Sequence, residues 1–468
     1  MSLLSRGRLF AAALALPLLA AACTSTSPTT VEVAGTTPAP SAASTAASTG
    51  PGAGPSAAVA STGAVPGTGI PSTGASPTGP SGGLASGSSP AITSAPATSP
   101  PTSTAVKRPR VTTVPADGAD GISPIAPVRV TVQDGTLRSV TMTNPEGKAV
   151  KGTMAADRRS WTTAEPLGYA RAYTVTSTAA GAAGAKTTTA TSFTTLQPAD
   201  TIYPSFFPGP KLKTVGVGQP MVVIFDKPPL DRVAAEKALS VTTVPAVTGA
   251  WYWWDDRTLH YRAKDYWKPG TRITVSAKIY GVDLGGGTYG ETDRSTTVTI
   301  GPSRIAQVDD ATKQMKVFVN GALAKTYPVS LGRNQQITVN GTDISFVTPS
   351  GIYVGQEKYA VKQMSSATYG LPVNSSLGYD SKIPLAVRFS NEGIFVHAAP
   401  WSVADQGVRN VSHGCINMSP TAGQWFYDNF GYGDILTVKG TSTKLSPTDG
   451  YGDWNLSWDQ WLRGSALS

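Results

Sequence analysis

Cysteine and histidine are scarce in this 468-residue chain, which has two cysteines and three histidines. Two cysteines cannot supply the ligands of a zinc finger, and no His-Glu-x-x-His pair is present, so the sequence predicts no zinc site and no metallopeptidase. We expect neither a metal nor a cofactor. Serine penicillin-binding enzymes are excluded as well, because Ser-x-x-Lys and Lys-Thr-Gly do not occur.

Aromatic residues are absent from positions 24–106, where nearly every residue is Ala, Gly, Pro, Ser, Thr or Val. Such a segment cannot bury enough apolar surface to offset the entropy of ordering. We therefore expect residues 23–106 to be a disordered tether.

Long apolar runs are lacking too. Arg6 and Arg8 precede a run from Leu9 to Ala22 that is shorter than the ~20 residues of a transmembrane helix, and Cys23 follows it directly. The small residues before Cys23 resemble a lipoprotein processing site. We expect residues 1–22 to be a signal peptide and Cys23 to carry a lipid anchor that holds the protein on the extracytoplasmic side of the cell membrane. A plain signal peptide cut near Ala22 remains the alternative.

The net charge of +9 at pH 7 favours anionic wall polymers over other partners but says little about function. The basic residues are scattered along the chain, and the expected signal peptide predicts export, so we expect no nucleic-acid partner.

The composition becomes strand-like from Lys107 onward. Val128–Val132 and Leu137–Met142 alternate around Asp134-Gly135, which predicts a β-hairpin. The pattern of residues 151–176 recurs at 248–276, an offset of about 97 to 100 residues, which is the size of an immunoglobulin-like sandwich. The sequence predicts two such modules, 107–198 and 199–301. The aromatic cluster Trp251–Trp254 favours packing, with glycan binding as the alternative.

Cys415 lies in Val-Ser-His-Gly-Cys-Ile-Asn (411–417), and His397 ends the strand-like run Gly-Ile-Phe-Val-His. Free cysteine titrates near pH ~8.5, and an adjacent imidazole can lower that pKa, so a Cys/His pair indicates a nucleophile. We assign His397 as the base. His413 and Ser412 are expected to shape the turn, and the N–H groups of Gly414 and Cys415 are candidates for an oxyanion hole.

His397, the following fourteen residues and Ser-His-Gly-Cys-Ile-Asn resemble the signature of the L,D-transpeptidases with a YkuD-type catalytic domain. Thr-Pro-Ser-Gly-Ile-Tyr (348–353) and His-Ala-Ala-Pro-Trp-Ser (397–402) are similar to mycobacterial and actinobacterial members. The resemblance implies a mainly β protein, in which two immunoglobulin-like sandwiches precede a β-sandwich catalytic domain at 302–440 with few short helices. It also implies a Trp-rich tail, 441–468, packed on the catalytic domain.

The resemblance further implies cross-linking of peptidoglycan. Cys415 would take the acyl group of a tetrapeptide stem, release D-alanine and pass the acyl group to a diaminopimelate amine of a second stem as a 3→3 link. Donor and acceptor stems are then the partners, and carbapenem β-lactams the inhibitors. By position, the substrate-binding residues would be Tyr379, Glu392, Gly393, Asn417 and Trp401.

Three alternatives remain. A sortase-like acyltransferase also places histidine before cysteine, although with a wider separation. An L,D-carboxypeptidase would pass the acyl group to water. A non-enzymatic wall-binding lipoprotein would use only the β modules, but the intact Cys415/His397 pair argues against it.

Overall fold

The computed structural model describes residues 107–468. The leader, Cys23 and the tether lie outside the described residues. Within the described part the chain is mainly β, with three short α-helices. No helix in this part is both long and apolar enough to cross a membrane.

The first β module pairs two four-stranded sheets. One sheet has the order β1-β3-β6-β5 and the other β2-β8-β7-β4. Its strands are β1 (Arg110–Val114), β2 (Ala119–Ile122), β3 (Arg129–Gln133), β4 (Thr136–Thr143), β5 (Gly152–Met154), β6 (Ser160–Thr163), β7 (Ala172–Ala180) and β8 (Lys186–Thr195). Between the sheets lies a core that includes Val130, Trp161 and Phe193.

The predicted hairpin around Asp134-Gly135 is wrong in its pairing. Both strands form, as β3 and β4, but β3 pairs with β1 and β6 whereas β4 pairs with β7. The turn therefore carries the chain from one sheet to the other. Alternation reports that each strand has one buried face, which is equally true when the two strands face each other across a sandwich.

The second β module repeats this plan. Its sheets have the orders β10-β12-β15-β14 and β11-β18-β16-β13, and β9 pairs with β17. The elements are β9 (Asp200–Ile202), β10 (Pro204–Phe207), β11 (Thr214–Val215), β12 (Met221–Phe225), α1 (Arg232–Lys237), β13 (Leu239–Val244), β14 (Gly249–Trp253), β15 (Thr258–Ala263), β16 (Arg272–Ala277), β17 (Thr288–Gly290) and β18 (Arg294–Ile300). The sequence repeat falls on equivalent hairpins, since β5-β6 and β14-β15 each end one sheet.

Residues 304–439 form a third unit around two sheets. The five-stranded sheet has the order β21-β20-β19-β29-β24, the four-stranded sheet has the order β25-β26-β27-β28, and β22-β23 is a separate hairpin. The elements are β19 (Arg304–Asp309), β20 (Gln314–Val319), β21 (Ala322–Pro328), β22 (Gln336–Val339), β23 (Thr342–Ser345), β24 (Gly351–Val354), β25 (Lys358–Ser365), β26 (Asp380–Arg388), β27 (Phe395–Ala398), β28 (Ile416–Met418), α2 (Pro420–Asn429) and β29 (Ile435–Lys439).

Two local elements of this unit follow from the residues that bound them. The turn Asn320-Gly321 joins β20 to β21 with positive φ at both residues, 49° and 85°, which suits Asn-Gly in a tight hairpin. Helix α2 begins at Pro420, where the Ser419 hydroxyl caps the first turn by accepting from the Ala422 N–H.

The C-terminal tail contacts two units, the catalytic domain that the resemblance implied and also the second β module. Its first part does lie on that domain, because Asn455 accepts from the Ile352 N–H of β24 at 2.8 Å. Its last part, with α3 (Trp458–Leu462), lies on the second β module, where the Trp461 indole donates to the Ala250 carbonyl at 2.9 Å. The cluster Trp251–Trp254 is used in this packing, since Tyr252 stacks on Trp461 with ring centroids 4.8 Å apart.

Candidate active site

The parallel pairing of β27 with β28 brings the two sequence-predicted reactive residues together. His397 is the register partner of Asn417, and Cys415 immediately precedes β28. These two strands are consecutive in the chain and adjacent in the sheet, so they place an imidazole and a thiol at neighbouring positions. Both residues line the same cavity.

The turn before Cys415 is closed by Ser412. Its hydroxyl donates to the Cys415 carbonyl at 2.6 Å and accepts from the Gly414 N–H at 3.1 Å. Ser412 therefore shapes the turn, as expected from the sequence. Gly414 has φ of +130°, a conformation that favours glycine.

The Gly414 N–H is occupied by this bond, so its predicted role in an oxyanion hole is wrong for this structure. The turn must satisfy its own backbone donors, and the Ser412 hydroxyl is the nearest acceptor. Thr348 holds the peptide group between Gly414 and Cys415, because its hydroxyl donates to the Gly414 carbonyl at 2.6 Å. The backbone donor left to consider is the N–H of Cys415.

Arg333 is a site residue that the sequence reasoning missed. Its guanidinium donates to the Val411 carbonyl at 2.6 Å and to the Ser412 carbonyl at 3.3 Å. The side chain also lines the cavity that contains Cys415. No local sequence signal marks this arginine, because its partners are 78 and 79 residues away in the chain.

The thiol and the imidazole are both neutral at pH 7. Burial raises the pKa of Cys415 to about 11 and lowers the pKa of His397 to about 4. The expected lowering of the thiol pKa by the imidazole is therefore wrong for the resting site, where desolvation dominates. The thiol donates to the Gly393 carbonyl at 3.6 Å, and no hydrogen bond in the described residues joins it to His397.

His397 is held in one tautomer. Its Nδ1 lies 2.9 Å from the Ala398 carbonyl, which can only accept, so Nδ1 carries the proton and Nε2 is left as an acceptor. The side chain of Trp401 stacks beside this ring, with centroids 5.9 Å apart, although Trp401 itself is 59% exposed. An imidazole with a free Nε2 lone pair is the form that a general base needs.

His413 lies in an aromatic wall. Its ring meets Phe346 edge-on at 4.8 Å and Tyr379 at 5.0 Å. Burial and the nearby Arg333 lower its pKa, while the Leu377 carbonyl opposes them. These contacts support the expected role of His413 in shaping the site.

Two cavities meet at Cys415. One, of about 430 Å³, is lined by His397, Trp401 and Asn417, and the other, of about 710 Å³, by Glu392 and Gly393. Four residues line both: Met364, Tyr379, His413 and Cys415. All the sequence-predicted substrate residues thus border a cavity that contains the thiol.

The polar groups of these residues differ in how well they are satisfied. Asn417 donates to the Ser402 hydroxyl at 2.9 Å, and its buried Oδ1 has no partner among the described residues. Burial raises the pKa of Tyr379, so the phenol keeps its proton. Glu392 is exposed.

In residues 107–468 no group of three or more His, Cys, Asp or Glu side chains is placed to hold a metal ion.

Comparison with known proteins gives concordant results. The family model described as the L,D-transpeptidase catalytic domain matches residues 303–439, and that of a bacterial Ig domain matches residues 119–283. L,D-transpeptidase 2 of Mycobacterium tuberculosis is 45% identical over 359 residues, 76% of this chain and 85% of that protein. L,D-transpeptidase 5 of the same species is 38% identical over 365 residues, 77% of each chain. A solved L,D-transpeptidase in complex with imipenem is 33% identical, covering 50% of this chain and 97% of that chain with a TM-score of 0.43.

Proposed function

This chain belongs to the L,D-transpeptidase family, and from that membership we propose that it forms 3→3 cross-links between diaminopimelate residues of peptidoglycan stems through a thioester on Cys415. The observation that carries the proposal is the position of Cys415, which borders both cavities while His397 borders only the smaller one. A thiol between two cavities can receive an acyl group from one side and an amine from the other.

The first step is acyl transfer to sulfur. The Cys415 sulfur attacks the carbonyl on the L-centre of diaminopimelate in a tetrapeptide stem, while Nε2 of His397 takes the thiol proton. The tetrahedral intermediate then expels the amine of terminal D-alanine, which receives that proton. Because the thiol pKa is about 11 and the imidazole pKa about 4, proton transfer accompanies the attack and does not precede it.

The second step reverses the proton path. The side-chain amine of a second stem's diaminopimelate attacks the thioester, His397 takes the amine proton, and the proton returns to sulfur as the C–S bond breaks. Leaving amine and attacking amine must both approach His397. We therefore assign the smaller cavity to D-alanine and the acceptor stem, and the larger cavity to the acyl donor.

We assign two donors to the oxyanion. One is the N–H of Cys415, the nucleophile itself, and the other is the hydroxyl of Tyr379, a residue that borders both cavities. Each such donor contributes on the order of 3 kcal/mol to the transition state. The peptide of Gly414 contributes indirectly, through the turn that Ser412 and Thr348 hold.

The remaining site residues orient the reactants. Asn417 borders the smaller cavity, and its side-chain amide donates to the Ser402 hydroxyl, which fixes the orientation of Asn417 beside the acceptor site. Trp401 covers one face of His397 and limits the access of water to the imidazole. On the donor side, Glu392 and Gly393 line the larger cavity.

We further propose that carbapenems acylate the same thiol. A strained lactam carbonyl mimics the acyl donor, and a site that must hold a thioester until an amine arrives has to keep water poorly placed. The amide bond of the lactam would break and its nitrogen would take the proton held by His397.

We also propose, from the sequence, that the protein acts outside the cytoplasm. A lipid on Cys23 and the tether 23–106 would keep the catalytic unit outside the cytoplasm and within reach of the wall. Both features lie outside the described residues.

The test is incubation of the full chain with a disaccharide-tetrapeptide, followed by mass spectrometry. We expect a dimer that lacks one D-alanine. Cys415→Ala should abolish both the dimer and the release of D-alanine, and His397→Ala should remove most of the rate.

His413→Ala provides the matched histidine control and should have a smaller defect than His397→Ala. Release of D-alanine without dimer would identify an L,D-carboxypeptidase, in which water replaces the amine. Dimer formation by Cys415→Ala would show that the nucleophile is wrongly assigned.

A further inference from the structure

The thiol acceptor Gly393 lies in a short loop between β26 and β27. The Arg388 side chain donates to the Ser390 and Asn391 carbonyls, each at 2.8 Å. The Ile394 N–H donates to the Ser390 hydroxyl at 3.0 Å, which holds the peptide to which the Gly393 carbonyl belongs. Gly393 itself has φ of +99°, so its conformation depends on being held from both sides.

The second support comes from the C-terminal tail. Asp449, which is 5% exposed, accepts from the Glu392 N–H at 2.9 Å. The neighbouring Gly450 lies against the same loop, because a Cβ there would be 3.2 Å from the Ser390 Cα. A turn of the tail is therefore packed directly onto the loop that carries the thiol acceptor.

The tail is fixed on its far side as well. The Trp454 indole donates to the Gly218 carbonyl of the second β module at 2.8 Å. The guanidinium of Arg262 from the same module lies 4.8 Å from the Trp454 ring and 4.6 Å from the Trp461 ring. Asp449 thus extends from a segment that two units of the protein hold in place.

We propose that Asp449 is a positioning residue for acyl transfer. Its carboxylate holds the Glu392 N–H so that the Gly393 carbonyl faces the Cys415 thiol and the larger cavity keeps its shape. Asp449, Glu392, Gly393 and Cys415 all line that cavity, so a shift of the loop changes the donor site and the thiol together. The link to cross-linking rests on the proposed function, whereas the link to the thiol does not.

Removal of the Asp449 carboxylate should change two rates in opposite directions. A thiol that loses its carbonyl acceptor gives up its proton more easily and reacts faster with a small alkylating reagent. A displaced donor site binds the stem less productively, because misplacement of about 1 Å can cost about a hundredfold in rate. A merely structural aspartate would change the melting temperature and leave both rates of the folded protein alone.

The test compares Asp449→Ala, Asp449→Asn and the control Asp459→Ala in the full chain. Asp459 is also a tail aspartate but is exposed and has no contact with the loop. Iodoacetamide modification of the Cys415 peptide is followed by mass spectrometry at one pH, below the melting transition of each variant. The kcat and KM for disaccharide-tetrapeptide are measured in parallel.

Asp449→Ala should be alkylated about five-fold faster, the effect of one neutral hydrogen bond, and should lose at least about five-fold in kcat/KM. Asp449→Asn retains an acceptor oxygen and should stay within about two-fold of wild type, as should Asp459→Ala. The proposal would be overturned if Cys415 of folded Asp449→Ala were alkylated at the wild-type rate. It would also be overturned if Asp449→Asn lost as much kcat/KM as Asp449→Ala.

If Asp449→Ala does not fold, Asp449→Ser, whose shorter side chain cannot reach Glu392, takes its place with the same expectations. If the wild-type protein forms no cross-links, the proposed function fails but the alkylation comparison still decides the role of Asp449.

Discussion

His260 Nδ1 lies 2.7 Å from Asp453 Oδ1, and this buried pair joins β15 of the second β module to the C-terminal tail. Trp254 stacks on the imidazole with the rings 4.6 Å apart and nearly parallel. The pair and its aromatic cover form part of the junction that holds the tail.

Breaking this pair should loosen the tail. Asp453→Ala leaves a buried ring nitrogen of His260 without its hydrogen-bond partner, and an unsatisfied buried polar group typically costs about 1 to 3 kcal/mol. We expect a lower free energy of unfolding and faster amide hydrogen exchange in Trp458–Leu462. Asp459→Ala serves as the control, and unchanged exchange in Asp453→Ala would contradict the prediction.

The pH dependence of thiol alkylation should follow a raised pKa. Since the folded thiol titrates near 11, its thiolate fraction at pH 7 is small and rises about ten-fold per pH unit up to pH 10. Iodoacetamide rates at the Cys415 peptide should therefore climb steadily over this range. A plateau below pH 8 would instead reveal a preformed thiolate–imidazolium pair.

A carbapenem should add once per chain. Intact-protein mass spectrometry should detect a single drug adduct on the wild type and none on Cys415→Ala, because the described residues contain no other thiol. An unmodified wild-type mass after prolonged incubation with active drug would count against the proposed acyl-enzyme.

Asp434 should make stability fall as pH rises. Burial raises the pKa of the folded carboxyl to about 7, far above that of a free aspartate, while the Arg304 guanidinium, 4.0 Å away, only partly offsets the cost of burial. Between about pH 4 and 7 the native state thus binds more protons than the unfolded state, and stability decreases across that window. Between pH 5 and pH 8 the free energy of unfolding of Asp434→Asn, measured with urea, should gain about 2.5 kcal/mol relative to wild type, because about two pKa units of the shift lie in that window. If the two proteins differed in free energy of unfolding by the same amount at both pH values, the Asp434 carboxylate would have to be solvated in the folded protein.

Membrane association should depend on Cys23. Cys23→Ser should move the protein from the membrane fraction to the soluble fraction without changing the activity of purified protein, because the tether separates anchor and site. Unchanged membrane association would remove the support for a lipoprotein.

The chemistry of this chain was more predictable from sequence than its packing. The Cys415 motif and the upstream His397 identified the family from sequence because nucleophile, turn and base lie within a short segment. The comparisons confirm that family. Local elements such as α2 and the Asn320-Gly321 hairpin carry their own capping and turn signals. These features depend on neighbours in sequence.

What could not be predicted depends on distant partners. Arg333 and Asp449 reach the site from 78 and 57 residues away, and neither has a distinctive local pattern. The raised thiol pKa follows from desolvation, which sequence does not report. Likewise, the strands flanking Asp134-Gly135 were recognised while their pairing was not, because alternation is blind to which sheet a strand joins.

The docking of the tail on the second β module also has a consequence for the order of assembly. Glu236 of that module receives the Trp253 indole N–H at 2.9 Å and the Ala466 N–H at 2.8 Å. Ala466 follows Glu236 by 230 residues, so it is synthesised after the whole catalytic unit, although the β module that it completes precedes that unit. The aromatic surface around Trp253 must therefore stay uncovered until residues 304–439 have been synthesised, and the second β module cannot complete its packing before then.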